Sequence, residues 1–374
     1  MRSALAALPV ALGLGLASIV ACGTFSGAEE AKPAADAGST DGRADAAQIC
    51  PTVVEGPGAC ASDATINLAN DPKNCGTCGH SCGAGSCVAG ACAPEKVTAE
   101  AGLAVALADH FLFLGQAQAV KRFVVDASDA PVTVAQGFLG DLRGLSPFAD
   151  TLYLSAAQQQ YTVPVAGGTL SPNPKPAENL LPTTGIWFAV PDGSAYYAFV
   201  EEKKSHLAHL TTGPLTSIAE EGSISAVTAR VSTAFWVVDA PAGSTLRGPF
   251  GAPRDLAKSA VTIGAITDDG AHAYYVDTDA HRLMRVDRDG IAVAIAVEPG
   301  GPPTAMTMDG DRIVYATVRT EQVVNTFAYV VSVSRCGGPP VVLRKLEKDV
   351  TVSSLAASGG VVYAATSAGV ERLR

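Results

Sequence analysis

The chain has 374 residues, 48% of them hydrophobic and 17% charged, a balance that excludes a disordered polyampholyte and suffices for two or three domains. Its 36 acidic and 26 basic residues give a formal charge of −10, which argues against nucleic acid or an anionic lipid surface as a partner, because both reward clustered Lys and Arg.

The first 21 residues carry one cation, Arg2, followed by an uncharged Ala/Leu/Val/Ile run from Ala4 to Val20, the layout of an export signal. The run ends in Ile19-Val20-Ala21-Cys22-Gly23, which resembles the bacterial lipobox. The resemblance implies cleavage before Cys22 and acylation of that cysteine, with Gly23 in place of a retention aspartate pointing to the outer membrane or cell surface. Cleavage would remove Arg2 alone and leave 25 basic against 36 acidic residues, a formal charge of −11. More than one acyl chain, at about 0.8 kcal/mol per buried methylene, anchors stably. No later stretch reaches about 18 consecutive apolar residues, so the lipid is the expected hold on the membrane.

Residues 22–49 are rich in Ala, Gly, Ser, Asp and Glu, with little to bury, and read as a flexible tether of roughly 30 Å by random-coil scaling. Residues 50–93 then hold seven cysteines, Cys50, Cys60, Cys75, Cys78, Cys82, Cys87 and Cys92, among few large apolar side chains. In an exported chain such a segment is expected to form disulfides in place of a core, a reading preferred over zinc. The run from Asn74 to Cys82 and then Gly85 to Cys92 resembles the cysteine-rich repeat of stigma-specific-protein-1-like modules, which implies no chemistry. Cys336 is the only further thiol. It either staples the small module to the large domain or stays free in the Arg335-Cys336-Gly337-Gly338-Pro339 turn, and the free thiol is the preferred reading.

From Glu95 to Arg374 no helical period is visible; short alternating or β-branched runs recur between Asp/Gly/Pro turns. An aromatic inside an apolar run appears at Phe113, Tyr153, Tyr197, Trp236, Tyr275, Tyr315 and Tyr363, about every 42 residues. Most follow a turn such as Asp268-Asp269-Gly270 or Asp309-Gly310-Asp311, and two further strands follow each. Four antiparallel strands per period describe one blade of a β-propeller. The expectation is therefore an all-β chain with seven blades over 95–374. The last blade supplies three strands of its own, and the stretch from Lys96 to Glu100 is placed to supply its fourth and close the ring. The run Tyr274 to Gly290 resembles a repeat of NHL, YncE and YWTD-type propellers, which implies six to eight blades and a binding scaffold.

The innermost strands should be Leu103–Leu107, Leu142–Leu145, Gly185–Val190, Ser223–Thr228, Val261–Thr267, Thr304–Met308 and Val352–Ala357. They contain one cation, Arg143, one tryptophan, Trp187, and otherwise small or aliphatic residues, which reads as channel lining and not as a catalytic set. His206 and His209, three apart on a strand, fall on opposite faces and cannot share an ion. Asp277, Asp279, Asp287 and Asp289 are a calcium candidate, with hairpin turn chemistry the preferred explanation and no cofactor expected. The loops between second and third strands gather on one rim, with Gln159, Glu201, Lys203, Asp277, Asp279 and Arg319 as candidate binding residues for a protein, peptide or glycan. The competing class is an enzyme, a metal-assisted hydrolase, lactonase or lyase on that rim.

Overall fold

The computed structural model describes residues 67, 69–75, 81–82, 85–88, 91–125, 127, 129–138, 141–156, 160–172, 187–189, 195–201, 204–210, 216–220, 222–230, 233–250, 252–297, 300–321 and 325–374. All lie in one compact unit, Thr52–Arg374. Every regular element among them is a β-strand, and no described helix is long and apolar enough to cross a membrane.

Seven four-stranded antiparallel sheets follow one another along the chain. Blade 1 is Ala104–Ala108, Phe111–Gly115, Ala119–Val124 and Val132–Gln136; blade 2 is Leu142–Phe148, Thr151–Ala156, Gln160–Pro164 and Ser171–Pro172. Blade 3 is Trp187–Ala189, Ala195–Glu201, Lys204–Leu210 and Thr216–Glu220; blade 4 is Ser223–Arg230, Thr233–Ala240, Gly243–Gly248 and Arg254–Ser259. Blade 5 is Thr267–Asp268, His272–Asp277, Arg282–Asp287 and Ala292–Val297; blade 6 is Ala305–Asp309, Arg312–Glu321, Asn325–Ser334 and Val341–Lys345. Blade 7 takes Val352–Ser358, Val361–Thr366 and Gly369–Leu373 from the end of the chain and its fourth strand, Glu95–Thr98, from before blade 1. The first strand of each blade touches that of the next around the whole circuit, blade 7 meeting blade 1, so the sheets form a closed seven-bladed β-propeller.

The core lies between the blades. In the second strand of blade 4, Phe235 and Val237 pack toward blade 5, while Ala234, Trp236 and Val238 pack toward blade 3. Both faces are covered, so the strand reads as an unbroken apolar run instead of an alternation. The recurring aromatics mark this strand in each blade but do not occupy one position. Trp236, Tyr275 and Tyr315 face the preceding blade, whereas Phe113 and Tyr363 face the following one.

A second regularity sits in the outermost strands. In five blades the ladder skips one residue there, Val134, Leu256, Ile295, Leu343 and Val97, and each skipped side chain joins the cluster shared with the next blade. A bulge bends an edge strand and re-aims one side chain, which disfavours pairing with a foreign strand. The closing strand carries the same bulge at Val97 and is thus built as a native fourth strand. One inner strand departs from expectation. Blade 5 keeps only Thr267–Asp268 in the ladder, because Ile263 N bonds to Ser244 Oγ at 3.3 Å and Ala265 N to the Pro303 carbonyl at 2.9 Å.

Polar contacts fasten neighbouring blades. Glu220 of blade 3, 2% exposed, accepts Trp236 Nε1 of blade 4 at 2.8 Å and pairs with Arg247. Arg344 of blade 6 meets Glu371 of blade 7 at 2.9 Å.

Candidate functional site

The inner strands enclose an axial cavity of about 470 Å³. Its described wall includes Leu103, Leu145, Ser225, Ile266, Met306 and Ser354, and none of its described lining residues is an acid or a base. The hydroxyls there serve the backbone: Ser353 Oγ donates to the Gly102 carbonyl at 2.7 Å, and Ser354 Oγ accepts Val105 N at 3.2 Å. The described part of the wall offers shape and no carboxylate, imidazole or amine.

The rim formed by the turns between second and third strands carries more chemistry. Gln159 and Lys203 lie outside the described residues, and Glu201 is described through its backbone, paired with Lys204 where the hairpin of blade 3 turns. Asp277 Oδ1 accepts Ala280 N at 3.0 Å and closes its own turn. Asp279 Oδ2 accepts Ala260 N at 3.1 Å and so ties the tip of blade 5 to the outer strand of blade 4. Arg319 stands on the long hairpin of blade 6, whose two strands run ten residues each.

That hairpin gathers a cluster on the face it turns to blade 5. The Arg319 guanidinium lies 4.8 Å from the Tyr329 ring centre, and Lys345 Nζ lies 4.1 Å from that of Phe327. Tyr329 Oη donates to Glu321, which also accepts Lys345 Nζ at 2.5 Å. Hydrogen bonds from Lys345 and then Tyr329 hold the Glu321 carboxyl below its ordinary value, and Glu321 in turn raises the Lys345 ammonium. Phe327 and Tyr329 share a cluster with Tyr274, Val276 and Leu283 of blade 5. The fold therefore brings Arg319 to the blade next to Asp277 and Asp279, and leaves Glu201 on another.

The calcium grouping is corrected. Asp277 ends the second strand of blade 5 and Asp279 lies in the turn after it, whereas Asp287 ends the third strand, five residues beyond Arg282, the ladder partner of Asp277, and thus about 17 Å along the strand, with Asp289 past it. Asp287 Oδ1 accepts Asp289 N at 2.9 Å and Ile291 N at 2.8 Å, and Asp289 meets Arg254 at 3.2 Å. The strand register sets His206 and His209 on opposite faces, His209 stacked on Tyr196 with ring centres 4.3 Å apart.

On the opposite rim, a group that reads as a plain turn in the sequence is a polar cluster. Buried Asp268 accepts Thr228 Oγ1 of blade 4 at 2.5 Å and Gly270 N at 2.8 Å. Asp269 accepts Tyr274 Oη at 2.7 Å and His272 N at 2.7 Å, with His272 Nδ1 at 3.3 Å. Burial raises the Asp268 carboxyl against the pull of Thr228. For Asp269 burial acts the same way but is overcome by hydrogen bonds from His272 and Tyr274, which hold the carboxyl far below its usual range. Burial likewise pushes the Tyr275 hydroxyl up to about 12. Asp-Gly turn residues are common, so only the packing of blades 4 and 5 distinguishes this one.

In the small module Cys75 pairs with Cys87 and Cys82 with Cys92, two crossed disulfides whose buried sulfurs make the module's core. Cys87 and Cys92 sit opposite each other in a two-stranded hairpin, yet each is bonded elsewhere. Cys336 is disulfide-bonded, which corrects the free-thiol expectation. Cys22, Cys50, Cys60 and Cys78 lie outside the described residues.

Neither a family model nor a curated protein matches the chain. Among solved structures it is similar to streptogramin B lyase, with a TM-score of 0.56 and 12% identity over 75% of this chain and 97% of that one. It is also similar to a catalytically inactive virginiamycin B lyase from Staphylococcus aureus with quinupristin, with a TM-score of 0.53 and 11% identity over 75% and 97%. The likeness shows the fold alone.

Proposed function

We propose that the protein is an exported, lipid-anchored binding scaffold, held through Cys22, whose propeller presents the rim of blades 5 and 6 to a protein, peptide or glycan of the cell envelope. The observation that carries this reading is the long hairpin of blade 6. Arginine and aromatic side chains dominate binding hot spots, and here Arg319 and Phe327 stand on a rigid strand pair, Arg319 packed on the ring of the buried Tyr329. The crossed disulfides support an oxidising compartment.

The test is capture from a detergent-solubilised envelope by the immobilised mature chain, with Arg319→Ala and Lys345→Ala as comparisons. Specific capture should fall about tenfold in these variants at unchanged melting temperature. Equal capture by all three chains would remove the rim from the reading. The second reading, a metal-assisted hydrolase, lactonase or lyase on the rim, instead requires a large calcium-dependent rise in melting temperature, because an ion that binds only the folded state stabilises it.

A further inference from the structure

The small module enters the ring at one rim. The closing strand runs antiparallel to Gly369–Leu373, with Glu95 opposite Arg372 and Thr98 opposite Val370. Arg372 in turn lies opposite Tyr363, so Glu95 stands at the end where first and second strands turn, the rim that also carries Asp268 and Asp269. Cys92 precedes Glu95 by only Ala93 and Pro94, and Ala93 N bonds back to the Ser86 carbonyl at 2.7 Å. Three backbone steps span no more than about 10 Å, which keeps the two crossed disulfides close to this rim.

Cys336 lies at the same end of the neighbouring blade. It follows the third strand of blade 6, where Ser334 stands opposite Arg312, Arg335 N bonds to the Asp311 carbonyl at 2.7 Å and Cys336 N to Ser334 Oγ at 3.2 Å. Asp309 Oδ2 accepts Gly360 N at 2.7 Å and joins the turns of blades 6 and 7 there. Cys336 is disulfide-bonded, while Cys75, Cys82, Cys87 and Cys92 are paired with one another. Of the nine cysteines this leaves Cys22, Cys50, Cys60 and Cys78 as its partner, each of them amino-terminal to the closing strand. The Arg319 hairpin is at the other end: its tip, where Glu321 pairs with Asn325, lies nine residues from Arg312 and Ser334, or about 30 Å.

We propose that Cys336 is bonded to the cysteine-rich segment through Cys50, Cys60 or Cys78, and that this staple on blade 6, together with the chain's entry into blade 7, makes their common rim the membrane-facing side of the anchored propeller. A single short connection leaves backbone torsions as a swivel, and a covalent bond to the next blade removes it. The hairpin of blade 6 then points away from the lipid, toward a partner that is not embedded in the membrane bearing the protein. The orientation rests on the lipid anchor proposed above, and the experiment separates the two.

The lipidated full chain, purified without reductant, is digested and its linked peptides are identified by mass spectrometry. The Cys336 peptide should be joined to Cys50, Cys60 or Cys78. The chain is then reconstituted in phosphatidylethanolamine–phosphatidylglycerol vesicles that carry a rhodamine-labelled lipid. A donor dye is placed, through azidophenylalanine, at Asp311 or at Thr320, exposed residues at the two ends of one strand. Energy transfer to the lipid should be at least about twofold greater from position 311, because the roughly 30 Å between the positions matches the reach of the tether. A Cys336 peptide that is unlinked, joined to Cys22 or joined to a second chain overturns the staple. Equal transfer from both positions, or more from 320, overturns the orientation in a chain that is anchored. A chain that does not float with the vesicles removes the anchor and the orientation with it, and the linked peptides still decide the staple.

Discussion

At the first turn of blade 5 two adjacent carboxylates titrate in opposite directions, and the reason is which neighbours each one meets. Asp268 is buried against blade 4 and its carboxyl is raised; Asp269 is ringed by donors and its carboxyl is lowered. A raised acid contributes stability that is whole below the ordinary aspartate value of 3.8 and is lost as pH rises through the folded value. A lowered acid does the reverse: its contribution is present above 3.8 and disappears as pH falls toward the folded value. Denaturant melts from pH 2.5 to 7 should therefore show Asp268→Asn gaining on the wild type as pH rises above about 4. Asp269→Asn should cost about 2 kcal/mol at neutral pH, chiefly the charge-assisted bond from Tyr274, and the gap should close in acid. Parallel pH profiles for both variants would contradict the assignment.

The strand hairpins show how one backbone position can govern a whole blade. Gly369 opens the third strand of blade 7 with φ at 131°, and a Cβ there would stand 2.2 Å from the carbonyl oxygen of Thr98 in the closing strand. Gly310, at φ 59°, has nothing within 4 Å of the same construction. Gly310→Ala should therefore cost only the conformational term, about 1 kcal/mol. Gly369→Ala must in addition push the closing strand away, and about 3 kcal/mol is expected from urea denaturation. Equal costs would mean that the contact with Thr98 does not constrain the blade. The bulges belong to the same scale. A skipped aliphatic residue beside an ordinary strand residue, as in Val134-Ala135 or Leu256-Ala257, looks like any apolar pair in the sequence, and only the ladder register reveals that five blades share the device.

For the whole molecule, closure is the decisive event: Glu95–Thr98 completes the seventh sheet, and its Val97 packs onto the apolar cluster that blades 7 and 1 share. A chain beginning at residue 101 keeps six blades and three strands of the seventh and loses the ladder to Gly369–Leu373. Its melting temperature should drop by about 10 °C or more, or the transition should broaden as the open edge exposes the blade 1 face. A transition as sharp and as high as that of residues 95–374 would show that the ring does not depend on this strand. The two concavities divide along the same lines. The channel has a neutral described wall, whereas the seam, where two distant parts of the chain must meet, is lined by charges of both signs.

The repeat of aromatics, the turn chemistry and the missing fourth strand near Lys96 were all legible in the amino-acid order, because each reflects local periodicity or an unpaired edge that must be satisfied. Cys336 was not, since pairing depends on which sulfurs approach in space and an odd cysteine in a turn is ambiguous on spacing alone. Nor were the opposite titrations of Asp268 and Asp269 or the separation of Asp277 and Asp279 from Asp287 and Asp289. These depend on which blade packs against which and at what register. A sequence read in one dimension specifies the strands, while the contacts between blades exist only after the ring has closed.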